Sequence, residues 1–232
     1  MTDLGHTIGS AAKTVPGKPV FKIPDRSLRF AFLRYAAWLT CLWLVVYGGA
    51  NWITGQHDYR VKIWVDLELA MPFWPRFAAV YLSLFPMLWL SPFVLHEEQT
   101  LRRFAAALGW LIVASGVGFL LVPASAAYDT PVVVGPSMAV FNLADQLNLD
   151  YNMLPSLHVG MSVLCAAAYS RQAGRTATFI FWAWALAICA STLVTHQHHL
   201  ADVVTGAALG AVFGRFAGNG TATPEAQDED IL

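Results

Sequence analysis

The residues able to do chemistry crowd into two short stretches, Pro155-Ser-Leu-His158 and His196-Gln-His-His-Leu-Ala-Asp202. His198 and Asp202 are four residues apart, so on a helix they share a face and can hydrogen-bond. A carboxylate on one ring nitrogen fixes the tautomer and makes the other nitrogen more basic. A nucleophilic histidine needs that state. Pro155 suits a first helical turn, where its missing N–H costs nothing. Ser156 and Leu157 then offer free backbone N–H groups and one hydroxyl, an anion cradle with His158 beside it. A cradle, a free histidine and a carboxylate-backed histidine match phosphoryl transfer through a phosphohistidine. His198 would attack phosphorus in line, His158 would protonate the leaving oxygen, and Asp202 would orient His198.

Blander readings apply to each residue alone. A single histidine at a helix start is usually a cap or an interfacial residue. A histidine–carboxylate pair inside a membrane is harder to dismiss, because intramembrane ionisable pairs are functional by default. His196 and His199 are read as lining the turn. Zinc is the sharper rival, since His158, His196, His198, His199 and Asp202 could all ligate. Adjacent histidines on a helix point about 100° apart, however. The sequence also lacks an H-x-x-x-H pair, so neither metal nor cofactor is expected.

The elements that must position these residues are membrane helices. Of 232 residues 56% are hydrophobic and 12% charged, with mean hydropathy +0.51, the composition of an integral membrane protein. A net charge of −1 gives no basic field for nucleic acid. Cys41, Cys165 and Cys189 all lie in apolar runs and read as buried inert thiols. Apolar runs at about 30–52, 76–95, 104–123, 155–170, 176–195 and 199–217 each approach the roughly 20 residues a span needs. The expectation is an all-α bundle of six transmembrane helices over 30–217. A flexible basic tail, 1–29, precedes it, and a disordered acidic tail, 218–232, follows. The first run reads as a retained anchor, since no cleavage signal precedes it.

Of the 14 lysines and arginines, all but Arg60, Lys62 and Arg76 fall at one side of this arrangement. The positive-inside rule then puts both termini in the cytoplasm. His158 and the 196–202 stretch come to the outer ends of spans four to six. For a bacterial inner membrane that is the periplasmic face. Residues 53–75 read as an interfacial connector or as the rim where substrate arrives. Gly206, Gly210 and Gly214 repeat at four-residue spacing beyond Asp202, a stripe that lets helices approach closely in lipid. A transporter would show internal repeats, and none is convincing here.

These residues resemble those of the type 2 phosphatidic acid phosphatase superfamily. "PSLH" at 155–158 looks like its second motif, usually P-S-G-H, and "HHLAD" at 198–202 like its third, H-x-x-x-D. The resemblance covers about residues 30–217. It implies His198 as nucleophile, His158 as acid and Asp202 as the orienting carboxylate. Ser156 and the nearby backbone at Leu157 would contact phosphate, with no metal. The family's cations are missing. Residues 118–137 contain no Lys or Arg where K-x6-R-P is usual, and Ser191-Thr192 stands where S-R is usual. Charge would have to come from protonated His196 or His199, from Arg60, Lys62 or Arg76, or from the helix N-terminus. "VDLELAMPFWPRFAAVYLS" and "PSLHVGMS" look more like the branch containing the inositol phosphorylceramide and sphingomyelin synthases, in which an alcohol rather than water resolves the intermediate. The resemblance implies a membrane-embedded lipid-phosphate phosphatase, a lipid phosphotransferase, or an inactive lipid-binding member. It gives no oligomeric state.

Overall fold

The computed structural model describes residues 19–128 and 131–217. Residues 1–18 of the expected basic tail and the whole of the expected acidic tail, 218–232, lie outside the described residues. Among the described residues the chain is helical, and extended pairing is limited to an isolated bridge between Val61 and Ala124. Helix α1 (Arg26–Trp43) runs through a π-helical turn at Leu44–Gly48 into α2 (Gly49–Thr54). Next come α3 (Ala78–Leu82), α4 (Leu84–Trp89) and α5 (Ser91–Val94), then the long α6 (Glu98–Leu121). The rest are α7 (Met138–Leu147), α8 (Leu157–Ser170), α9 (Arg175–Val194) and α10 (Leu200–Phe216).

The first helix starts before the apolar run because Asp25 caps it: Leu28 N–H donates to Asp25 Oδ1 at 2.8 Å. The second expected span is broken into α3, α4 and α5. Pro86 and Pro92 have no N–H for the carbonyls of Leu82 and Leu88, so the helix yields near each. At the first break Trp184 Nε1–H donates to Ser83 Oγ at 2.8 Å, tying it to α9.

Three stretches are long and apolar enough to cross a membrane: Arg26–Thr54, Glu98–Leu121 and Arg175–Val194, with hydropathies of 1.5, 2.1 and 1.9. Their apolar residues face outward as well as inward. Trp38, Val45, Phe179 and Leu186 are exposed on the protein surface, as lipid-facing residues must be. Cys41 is exposed with them, so the expectation of a buried thiol fails there. Cys165 is buried.

Helices α8 and α10 are shorter, 14 and 17 residues, or about 21 and 25 Å at 1.5 Å per residue. The hydrocarbon core is about 30 Å thick. Both helices begin among buried groups, Ser156 and Leu157 for α8 and His198 and His199 for α10. Almost every residue of α8 is buried, which makes it the central helix. Helix α7 lies between the third and fourth expected spans. It buries Phe141 and Ala144 against Ala78, Tyr81 and Phe73.

Candidate active site

The two motifs meet where α8 and α10 begin. Ser156 caps α8, with its Oγ accepting Val159 N–H at 3.4 Å. Its backbone N–H donates to the carbonyl of Asp202 at 3.0 Å. Residues of "PSLH" and "HHLAD" are thus in direct contact. The glycine stripe permits this: a Cβ on Gly206 would collide with the Ser156 carbonyl, and one on Gly210 with that of Gly160. The chain reaches α10 through a tight turn. Gln197 N–H and His198 N–H both donate to the Thr192 carbonyl, at 3.0 and 3.2 Å. His196 takes a left-handed φ of 58°, a conformation in which His, Asn and Asp are enriched among non-glycine residues.

His198 is oriented by Asp202. Its Nδ1 lies 3.3 Å from Asp202 Oδ2, which also accepts the His199 backbone N–H at 2.8 Å. Both side chains are buried, His198 to 2% and Asp202 to 0% exposure. Asp202 Oδ1 has no protein partner. A carboxylate at Nδ1 holds the ring proton there and leaves the lone pair on Nε2.

His158 has a different partner. Its Nδ1 lies 3.0 Å from the Tyr81 hydroxyl, and the two rings stack at 4.0 Å and 24°. Its Nε2 is buried and unpartnered. The residue forms part of the wall of an apolar cavity of about 290 Å³ between α1, α4, α6 and α8. One face of α1 and the π-helical turn after it lines this cavity from Phe32 to Tyr47, about 22 Å of helix at roughly 1.5 Å per residue. Leu157 and Met161 flank His158 in the wall.

His199 and His196 face away from that cavity. His199 Nδ1 lies 3.2 Å from Glu68 Oε2, and its Nε2 accepts Ala127 N–H at 3.1 Å. An amide N–H pointing at Nε2 means that this nitrogen carries no proton. His199 is therefore neutral with both nitrogens occupied, and in this geometry it has none free for a phosphate. His196 Nε2 donates to the Met71 carbonyl at 3.1 Å. Burial pushes its titration below the ordinary histidine range, and the Met71 carbonyl partly restores it. Tyr128 stacks on His196 at 3.8 Å and on His199 at 5.1 Å, with Trp64 on His199 at 5.5 Å. These rings join the 57–75 segment and the 123–128 stretch to the start of α10.

Glu68 is the anchor of that assembly. One carboxylate oxygen accepts Leu200 N–H at 2.8 Å and the other Val65 N–H at 3.0 Å. Burial pushes its carboxyl up, but the Val65 and Leu200 amides and His199 outweigh this and hold it below the ordinary range. Residues 57–75 are thus more than a surface connector. Sequence reasoning missed Glu68, although a carboxylate between apolar neighbours in "DLELAM" was a usable signal. It also missed Tyr81, which looks in sequence like any aromatic in an apolar run. No Lys or Arg hydrogen-bonds to His158, His198, His199 or Asp202 among the described residues. Arg60 binds the carbonyls of His57 and Tyr59, and Lys62 pairs with Asp66. No group of three or more His, Cys, Asp or Glu is arranged to hold a metal there either.

The fold and site define a helical integral membrane protein that carries two differently partnered histidines at the adjoining starts of two helices. The family model described as the PAP2 superfamily matches residues 57–214, and the chain belongs to that superfamily. The match takes in both histidine motifs, Glu68 and Tyr81, and it is to the superfamily rather than to any one branch. Neither the curated proteins nor the solved structures gave a match.

Proposed function

We propose that this protein is a six-span membrane enzyme that removes a phosphate group from a lipid through a phosphohistidine at His198. Its site lies at the extracytoplasmic ends of α8 and α10. The observation that carries this reading is the different partnering of the two histidines, with His158 in the wall of an apolar cavity. His198 Nδ1 is backed by a carboxylate at 3.3 Å. His158 Nε2 is buried without a protein partner, and the residue lines a cavity suited to a hydrocarbon chain.

The His198 Nε2 lone pair attacks phosphorus, and the bond from phosphorus to the lipid oxygen breaks. His158 Nε2–H gives its proton to that oxygen. A water then attacks phosphorus and gives a proton to His158, and the electron pair of the P–N bond returns to His198. Asp202 stabilises the charge on His198 while phosphorus is bound. The free amides of Leu157 and His158 and the α8 dipole receive the phosphate oxygens. His196 and His199 shape the outer wall from their places on Met71 and Glu68.

Transfer to an alcohol acceptor is the second reading, with the same steps and an alcohol in place of water. The depth of burial at His198 and Asp202 favours it, because bulk water is kept from the phosphorylated enzyme. The deciding experiment uses purified protein in detergent with EDTA. It is offered phosphatidic acid, phosphatidylglycerophosphate, undecaprenyl diphosphate and ceramide with a phospholipid donor, with products followed by mass spectrometry. Free phosphate marks the hydrolase and a new phosphodiester the transferase. Activity that survives His198→Ala, or that requires added zinc, refutes both.

A further inference from the structure

We propose that Tyr81 is a positioning residue that makes His158 the acid of the pair, by holding its Nδ1 with a partner that bears no charge. The proposal rests on the reading of His158 given above and concerns how two chemically identical side chains acquire different jobs. His198 has a carboxylate at Nδ1, 3.3 Å away. His158 has a phenol at Nδ1, 3.0 Å away. A carboxylate stabilises the imidazolium and makes a histidine the better base and nucleophile. A neutral hydroxyl leaves the imidazolium without that support, so a protonated His158 gives up its proton more readily.

A hydroxyl is also the group that can serve both states of the ring. When His158 is protonated, Nδ1–H donates to Tyr81 Oη, which accepts through a lone pair. As His158 Nε2–H passes its proton to the lipid oxygen, the ring becomes neutral as the Nδ1–H tautomer and Nδ1 still donates to Tyr81 Oη. Nε2 is left with the lone pair that takes a proton back from water. Tyr81 keeps its own proton throughout. The geometry around the pair fixes the ring plane. Tyr81 is fully buried and stacks on one face of His158 at 4.0 Å. Phe85 approaches the ring at 6.3 Å, with the two planes 88° apart. Nε2 then has no partner within the protein, and His158 belongs to the cavity wall.

The test compares Tyr81→Phe with the unaltered protein on two substrates. One is an alkyl lipid phosphate, whose alkoxide leaving group needs a proton. The other is a 4-nitrophenyl phosphate ester, whose phenolate does not. Turnover of the alkyl substrate is expected to fall about tenfold or more beyond any fall on the aryl substrate, since general acid help is worth about 10²–10⁴. Equal losses on both substrates would reduce Tyr81 to a packing residue and overturn the proposal, as would no loss on either.

Imidazole ¹⁵N spectra of His158 give an arm that needs no active variant. With the ring neutral, the unaltered protein should show the Nδ1–H tautomer, and Tyr81→Phe should lose that preference. An Nε2–H tautomer or an even mixture in the unaltered protein would overturn the proposal even if the variant fails to fold. If the unaltered protein shows the Nδ1–H tautomer but turns over no phosphate ester, the enzyme reading fails while the Tyr81–His158 pairing stands.

Discussion

Replacing Glu68 by glutamine tests the join between the outer segment and helix α10. Glu68 Oε2 accepts Leu200 N–H at 2.8 Å and faces His199 Nδ1 at 3.2 Å, while Oε1 accepts Val65 N–H at 3.0 Å. The surrounding groups are all donors. Glutamine has one oxygen and one NH2, so either flip sets an NH2 against at least one N–H. Orphaning one buried donor costs about 1–3 kcal/mol, and the retained bonds lose about 1 kcal/mol of charge assistance. The sum is about 2–4 kcal/mol. The loss should appear locally, as release of 57–75 from α10 and not as global unfolding. Hydrogen exchange read by mass spectrometry should quicken at the amides of Val65 and Leu200 by about 30- to 1000-fold, at 1.4 kcal/mol per decade. Exchange within about threefold of the unaltered protein would show that Glu68 does not hold the segment. The pH dependence has a fixed sign. The folded-state carboxyl lies below its ordinary range, so its stabilisation is complete above the unfolded value of about 4.3. It fades as pH falls through the lower folded value, and the glutamine variant should lack that acid step.

Asp202→Asn keeps the shape but removes the charge behind His198. Turnover should fall about 10²–10³-fold, at 1.36 kcal/mol per decade for a loss of roughly 3–4 kcal/mol in the transition state. Near-normal turnover would free Asp202 of its orienting role. Gly206→Ala sets a methyl against the Ser156 carbonyl and forces α8 and α10 apart. Thermal denaturation in detergent should show a loss of about 1–3 kcal/mol, and an unchanged midpoint would mean that the helices have room to spare. Orientation is tested with Val132→Cys, at a site 93% exposed, in a background without Cys41, Cys165 and Cys189. An impermeant thiol reagent should label it from outside intact cells, and labelling only after lysis would invert the topology.

The positions of His158, His198 and Asp202 were legible because each rests on a local rule. On a helix, a carboxylate four residues after a histidine shares its face, and a proline suits the first helical turn. The geometry differs from those rules: α10 begins at Leu200, so Asp202 meets His198 across the turn before the helix and not on one helix face, and Pro155 precedes the Ser156 cap instead of opening the first turn of α8. The close packing of α10 was legible from small residues at every fourth position, and the fold shows that α8 is the helix it meets. Glu68 and Tyr81 were not, because their partners lie far along the chain: Glu68 meets His199 and Tyr81 meets His158 only in the fold. The long-range pairings also changed the roles expected of His196 and His199. Sequence reading offered both as donors to substrate, but Met71, Ala127 and Glu68 engage their rings. The broken run α3–α5 was foreshadowed by Pro86 and Pro92, though hydropathy alone makes it one span. Helix α7 was hidden because its buried face, Phe141 and Ala144, is too short a signal against a polar loop.

The central claim is that His198 takes the phosphoryl group. The direct measurement is to mix purified protein with a phosphate-labelled lipid substrate, quench within a turnover in alkali, and map the labelled peptide by mass spectrometry. The account predicts label on His198, lost in His198→Ala. Label on His158, Ser156 or Asp202, or a substrate turned over with no labelled peptide at any quench time, would contradict it.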